Sequence, residues 1–372
     1  MDLDQPDQKL ISARTELKHL SSMPAGIIAI PGAIATVVIV GIMLHFISDA
    51  FLTFVAALFL ANIFMPLVET MRKKKVPVVF TILLVLLVVG VVLAGVVIII
   101  ITTVGSVSDI IPKYQARWDH VFLPWMTNAA GRVSNDLRQE VMDFNFSSIL
   151  QPSKIAAALT SVTSLISSFT LILLFMLFIL ASHGHFRTKI ERAFPPSGSF
   201  HLKKIVENIE SRVRSYLLTT LLINTLAGVT MTVVLMIFGL DLAPLWGMLT
   251  FLLMFIPSIG SIFAIIMPIL VAFLQFDSIV TPIVMAIIVI VSQLLIGSYI
   301  SPRVMGSSLN LSPLLILISI IFWGWVWGPL GMILAVPITS AITIVFENIP
   351  VLHPLAVLMS SGEERKVKKK AS

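Results

Sequence analysis

Two short stretches of this chain place proline, glycine and serine inside otherwise apolar sequence. The first is Pro257-Ser258-Ile259-Gly260-Ser261; the second runs from Gly324 to Gly328-Pro329-Leu330-Gly331. Neither contains an ionisable side chain, so what they offer is backbone. Proline has no N–H and clashes with the carbonyl four residues back, which strips nearby backbone groups of intrahelical partners. In a lipid bilayer such groups persist only where protein buries them or where they line a cavity. The chemistry is therefore non-covalent: freed carbonyls and amides hydrogen-bonding a solute, with Ser258, Ser261, Ser319 and Trp323, Trp325 and Trp327 as its walls. A small neutral polyhydroxylated or amphipathic solute suits this lining better than an anion. The plainer alternative is that the breaks only kink packed helices and that the tryptophans anchor at the membrane interface.

Other chemistries find little purchase. The chain has no Cys, which removes thiolate catalysis and Cys-ligated metals. It has no HExxH, Gly-x-Ser-x-Gly or Walker-type phosphate loop, so neither an enzyme nor a nucleotide-driven pump is expected, and no cofactor or metal is implied. His183 and His185 are two apart and share no helix face. The acids nearest apolar sequence, Asp49, Glu69, Asp241, Asp277 and Glu347, all fall at expected span ends rather than mid-membrane, where proton relays and ion sites are built. Arg303 reads as a topology or headgroup residue, with gating as the lesser role.

The elements that must hold these breaks are membrane helices. Of 372 residues 57% are hydrophobic and only 12% charged, about half the charge of a soluble domain. Many apolar runs exceed the roughly 18 residues that mark a span. The expected fold is an all-α polytopic membrane protein with about six full spans and two interrupted re-entrant hairpins of opposite orientation. A cytoplasmic tail (1–26) precedes helices 1–3 (27–104), with a tight external turn at His45, Ser48 and Asp49 and a span-embedded Asn62 suited to an interhelical hydrogen bond. A small external helical cap (105–155) follows, then helix 4 (156–181) and a cytoplasmic amphipathic helix (182–215) lying along the membrane surface. The broken pair occupies 216–347, before a basic cytoplasmic tail (348–372). Basic runs beside spans, above all Arg72-Lys73-Lys74-Lys75, place both termini in the cytoplasm. The +6 net charge is assigned to topology and anionic lipid, not nucleic acid.

The two breaks belong to a repeat. Leu240-Asp241-Leu242-Ala243-Pro244-Leu245 matches Leu309-Asn310-Leu311-Ser312-Pro313-Leu314, and Pro244–Pro313 and Pro268–Pro337 are both 69 residues apart. Corresponding interrupted segments in two halves point to a solute site in a transporter. The charges send the two segments in from opposite faces, although they also allow ten short full spans. Between them, Ser301-Pro302-Arg303-Val304-Met305-Gly306 reads as a polar turn.

The segment from Phe322 through Trp323-Gly324-Trp325-Val326-Trp327-Gly328-Pro329-Leu330-Gly331-Met332 to Ala335-Val336-Pro337 resembles the terminal signature of the AI-2E transporter family, also called the autoinducer-2 exporter family. Ile256–Ser261 resembles its central Pro-x-x-Gly element, Ser301–Gly306 its acidic-Pro-Arg-x-x-Gly turn, and Pro66-Leu67-Val68 the end of its second helix, over about residues 35–360. The resemblance implies a multi-pass permease of the bacterial inner membrane, associated with quorum sensing, that exports a small organic solute such as autoinducer-2. The family is also linked to sodium or lithium/proton exchange, and a non-transporting scaffold is the further alternative. Partners would be a small-molecule substrate and membrane lipids; self-association into a homo-oligomer is left open. The substrate-binding or gating residues would be Pro257, Ser258, Gly260, Ser261, Ser301, Pro302, Arg303, Gly306, Gly324, Pro329, Gly331 and Pro337. This chain departs from the family pattern at Ser301, where an acid is common, at Met65, where Asn is, and at Met254-Phe255-Ile256-Pro257-Ser258, where Asn-Tyr-Ile-Pro-Asn is. Each departure makes the site less polar and weakens the case for a cation.

Overall fold

The structure is a computed structural model and describes residues 39–131, 134, 136, 139, 168–182, 189, 191–193, 195–257, 259–305 and 311–361. Ser258, Gly306, the two histidines at 183 and 185, both chain ends and the later part of the expected cap lie outside the described residues. The chain divides into two units, Met1–Phe51 and Leu52–Ser372.

In the first unit, residues 39–46 are helical. Backbone bonds from Ile47 N to Met43 O (3.2 Å) and from Phe51 N to Ile47 O (3.3 Å) carry helical pairing through the segment expected to make a tight turn. His45, Ser48 and Asp49 are polar, but none is a proline or glycine that would stop the ladder.

The described elements are all helical. They are α1 (Ser48–Lys73), α2 (Val78–Arg117), a π-helix (Trp118–Phe122), α3 (Leu123–Gly131), α4 (Ser168–Ser182), α5 (Pro196–Phe238), α6 (Ala243–Leu253), α7 (Ile259–Gln275), α8 (Val280–Leu294), a second π-helix (Leu295–Ile300), α9 (Ser301–Met305), α10 (Pro313–Glu347) and α11 (His353–Met359). Five are long and apolar enough to cross a membrane: α1, α2, α5, α8 with its extension to Val304, and α10. The first and fourth expected spans fall partly outside the described residues.

Three helices outrun the bounds read from sequence. α2 does not stop at Val104 but continues to Arg117. The polar residues there do not compete with the ladder, because Thr102 and Ser106 return their hydroxyls to Ile98 O (2.8 Å) and Thr102 O (3.0 Å). α5 joins the amphipathic stretch and the fifth span into one helix of 43 residues, about 65 Å long. Residues 301–305 of the expected polar turn are helical: Ser301, Pro302 and Arg303 lie in α9, which continues α8, and Gly306 lies outside the described residues. The proline is accommodated by the π-helix, which ends two residues before Pro302; the other π-helix likewise ends two residues before Pro124. The wider turn shifts the carbonyls that the proline ring would otherwise strike.

Among the described residues, two larger clusters form most of the interior. Ala57, Ala61 and Met65 of α1, Val85 and Val89 of α2, and Ile172, Met176 and Leu180 of α4 pack as a three-helix group. Met231 and Leu235 of α5, Ala243 of α6, Ala272 of α7, and Met285 and Val289 of α8 pack as the second. The expected bond of Asn62 is present: its Nδ2 donates to Glu210 O (3.0 Å) and its Oδ1 accepts from Arg214 Nε (3.4 Å), joining α1 to α5.

Candidate functional site: two broken hairpins against one long helix

α5 ends at Gly239, and the chain reverses to run α6 back along it. Small residues set the approach: a side chain at Gly228 would meet Gly247 O (2.7 Å) and Phe251. α6 then stops at the first break. Phe255 N keeps a long backbone bond to Leu252 O (3.3 Å) and is also met by Asn224 of α5. With its amide oxygen turned toward the break, Asn224 accepts from Phe255 N (3.1 Å) and its NH2 donates to Thr220 O (3.2 Å). Beyond Pro257 the chain doubles back as α7, and Gly260 lies so close to the end of α6 that a Cβ there would overlap the carbonyl of Leu253. α7 returns to where α6 began: Gln275 Nε2 donates to Gly239 O (2.7 Å), and its Oε1 accepts from Asp241 N (2.7 Å). α6 and α7 are thus an antiparallel pair with its tip at Pro257 and its base at Asp241 and Gln275.

The second break repeats this design inside α10. Trp327 (φ −131°, ψ 15°) and Gly328 (φ 64°, ψ −147°) leave helical geometry, and the positive φ at Gly328 is one that an L side chain resists. The segment is not a 35-residue rod. Ser319 and Thr339 would be about 30 Å apart in a straight helix, yet Thr339 Oγ1 donates to Ser319 Oγ at 2.9 Å. Trp323 Nε1 donates to Thr339 Oγ1 (3.3 Å), and a Cβ at Gly331 would overlap the carbonyl of Trp323. Gly260 and Gly331 thus do the same work in the two copies: each lets the returning arm touch the carbonyl of the outgoing one.

The tryptophans divide between the two roles open to them. Trp323 and Trp327 are buried and packed ring against ring at 4.8 Å, whereas Trp325 is 53% exposed. Buried Ser319, Thr339 and Trp323 make a polar thread between the arms.

Around the first tip, Met254 and Ile300 pack with Ile223, Ala227 and Ile296, and Gln293 Nε2 donates to Ala227 O (3.3 Å). The first break and the residues leading into Ser301 therefore meet on one stretch of α5. Pro257 and Ser261 are half-buried and Gly260 is buried. Pro302 and Arg303 face outward, with the Arg303 guanidinium 5.0 Å from the Tyr299 ring centre. In the second hairpin Gly331 and Pro337 are buried, Gly324 lies against Met332, and Pro329 is exposed. Among the described residues the second break shares no cluster with the first.

Sequence reasoning missed the groups that tie the hairpin bases down. Tyr114 of α2 lies 3.1 Å from Asp241 Oδ2 and 3.2 Å from Gln275 Oε1. Arg117 pairs with Asp277 and also donates to Phe276 O. Burial, then the Asp241 charge and its hydrogen bond, push the Tyr114 phenol well above the usual tyrosine range; this residue is beyond the apolar part of α2. Arg212 of α5 pairs with Glu347 at 3.3 Å. These partners lie far apart in the chain, so no local pattern announces them. Among the described residues no group of His, Asp and Glu could hold a metal ion.

An all-helical chain with several membrane-crossing helices and paired, internally broken hairpins belongs to the class of multi-pass membrane transport proteins. The sequence profile of the AI-2E family transporter matches residues 34–350, and the chain belongs to that family. It is similar to the AI-2 transport protein TqsA of Escherichia coli, 28% identical over 322 residues that cover 85% of this chain and 91% of TqsA. It is also similar to a "Putative transport protein" of Haemophilus influenzae, 28% identical over 340 residues, 90% of this chain and 96% of that one. A protein of the same name from Borreliella burgdorferi is 28% identical over 249 residues, 65% and 68% of the two chains.

Proposed function

We propose that this chain is a secondary-type permease of the bacterial inner membrane that exports a small, neutral organic solute, with autoinducer-2 as the first candidate. The observation that carries the reading is the placement of the hairpins on α5. The base of the first sits at Gly239, the C-terminal end of α5; the base of the second sits at Arg212, near the middle of α5 and just ahead of its apolar run from Tyr216. Those points are about 39 Å apart along the helix, more than the roughly 30 Å hydrocarbon core. Hairpins based at opposite ends of the apolar part of one spanning helix would enter from opposite faces, which supports the inverted, re-entrant reading. The first tip lies level with Asn224. A 14-residue arm from Pro313 to Val326, starting level with Arg212, is about 21 Å long and reaches by length alone the same depth.

The solute would bind at that depth, at Pro257, Ser258, Gly260 and Ser261 and at Gly324, Pro329, Gly331 and Pro337. Ser301, Pro302, Arg303 and Gly306 would gate one side. The ionisable groups of the region support a neutral cargo, since Asp241, Asp277 and Glu347 lie at the hairpin bases in contact with Tyr114, Arg117 and Arg212. The name of TqsA, an AI-2 transport protein, supports autoinducer-2. The basic 72–75 loop supports termini in the cytoplasm, with the segment after α2 external.

Purified protein in proteoliposomes, loaded with the autoinducer-2 furanone and assayed beside Pro257→Ala and Pro329→Ala, tests this. Solute efflux that slows in both variants is expected. Folded variants transporting at the wild-type rate would remove the breaks from the mechanism. Sodium- or lithium-driven proton movement lost on replacing Asp241, Asp277 or Glu347 would make the chain an antiporter instead.

A further inference from the structure

Asp277 and Glu347 are 70 residues apart, one residue from the 69-residue spacing of the paired prolines. They are equivalent positions: each follows the returning arm of its hairpin, at the base. Each also meets an arginine from outside its hairpin. Arg117, at the end of α2, pairs with Asp277 and with Phe276 O, beside the Tyr114–Asp241 contact. Arg212, on α5, pairs with Glu347 at 3.3 Å, two residues from Arg214 and Glu210, which bond Asn62 of α1. Both bases are therefore tied to the three-helix group, the first directly and the second through α5.

In both pairs the guanidinium is largely buried: Arg117 is 19% exposed against 97% for Asp277, and Arg212 is 25% exposed against 30% for Glu347. A largely buried guanidinium stays inside only while its charge is matched. Arg117 is the more precarious, since its Nε is buried without an acceptor among the described residues. It also borders a cleft of about 370 Å³ walled by Phe122, Leu270, Phe273 and Pro282, so the space into which the contact would open already exists.

We propose that Arg117–Asp277 and Arg212–Glu347 are equivalent clasps, one on each side, and that each holds shut the path from water to the hairpin tips on its own side. This rests on the transport reading above. Loss of Asp277 frees the base of the first hairpin and leaves the opposite side closed; loss of Glu347 does the reverse.

The chain has no Cys, so Ser261→Cys supplies a single thiol near the first tip. Its labelling by a membrane-impermeant maleimide is measured in vesicles of each orientation, without solute. Asp277→Asn should speed labelling about two- to fivefold from the face of the first base only, the modest scale of an ion pair that is partly exposed. Glu347→Gln should do so from the other face only. The charge swap Arg117→Asp with Asp277→Arg should return the rate to that of the parent. Unchanged labelling in both single variants, acceleration from the same face in both, or a swap that fails to restore the rate would each overturn the clasps. Accelerated labelling in a chain that moves no solute would leave the clasps standing and sink the transport reading; flux with flat labelling would do the opposite.

Discussion

At the scale of single residues, the site depends on missing side chains as much as on those present. Gly260 and Gly331 were legible in the sequence as members of Pro-Gly breaks, but their common function was not, because the carbonyls they admit belong to residues seven and eight positions earlier, across a turn. Adding one methyl at either position should destabilise the fold by about 1–3 kcal/mol through overpacking. Gly297→Ala is the control, since its Cβ would meet nothing. Thermal unfolding in detergent should lower the midpoint for Gly260→Ala and Gly331→Ala and spare Gly297→Ala. Tyr114 gives a second expectation. Its phenol titrates above the ordinary value of 10.0 in the fold, so the folded state holds that proton more tightly than the unfolded chain. Its contribution is complete below pH 10 and disappears as pH climbs beyond it. An ultraviolet titration should show one fewer tyrosine ionising near pH 10 than in Tyr114→Phe plus one free phenol, and that variant should lose the alkaline part of the stability profile.

At the scale of elements, the sequence was informative wherever backbone chemistry is local. Proline and glycine marked both breaks, and Asn62 found its interhelical partner. It misled where polarity imitates a helix end. Ser106 and Asp109 in α2, and the charged stripe before Tyr216 in α5, look like boundaries, yet each helix runs through because its own ladder remains intact. Residues 301–305 misled in the same way: Pro302 is normally a stop, but the π-helix before it absorbs the clash. Relieving that constraint should change the register beyond it. In Pro302→Ala the wide turn should relax toward regular helix, rotating Ile300 away from the Ile223, Ala227 and Ile296 cluster that it shares with Met254. Labelling of Ile300→Cys by a maleimide should therefore be at least several-fold faster with Pro302→Ala than without it. Gln293→Cys precedes the wide turn, and its labelling should be unaffected.

At the scale of the molecule, the repeat was visible as two 69-residue spacings, and the proposed inverted arrangement is supported by where the bases meet α5. What no linear pattern held was the linkage between groups: Arg117 and Asp277 are 160 positions apart and Arg212 and Glu347 are 135. Long-range ionic contacts are specified by the packed fold, and a charge at a span end reads equally well as a lipid-facing residue. Composition placed the chain in the membrane, the breaks placed the hairpins, and only the three-dimensional arrangement showed which helices hold them.

Hairpins anchored at opposite ends of the apolar part of α5 have a mechanical consequence. Each arm has a fixed length, about 21 Å from base to tip, and on the inverted reading each is moored to its own leaflet. Their overlap at the centre would then be set by the thickness of the lipid between the moorings. With the bases about 39 Å apart along α5 the two reaches overlap by only about 3 Å, and every ångström added between the moorings would subtract from it. A protein whose helices all cross can tilt to accommodate a thicker bilayer; two opposed half-crossings lose their common zone. Solute flux in vesicles made from phosphatidylcholines of increasing chain length should pass through a maximum and fall on the thick side faster than thermal stability does. A flux that follows stability across the series would show that the tips do not meet the solute together.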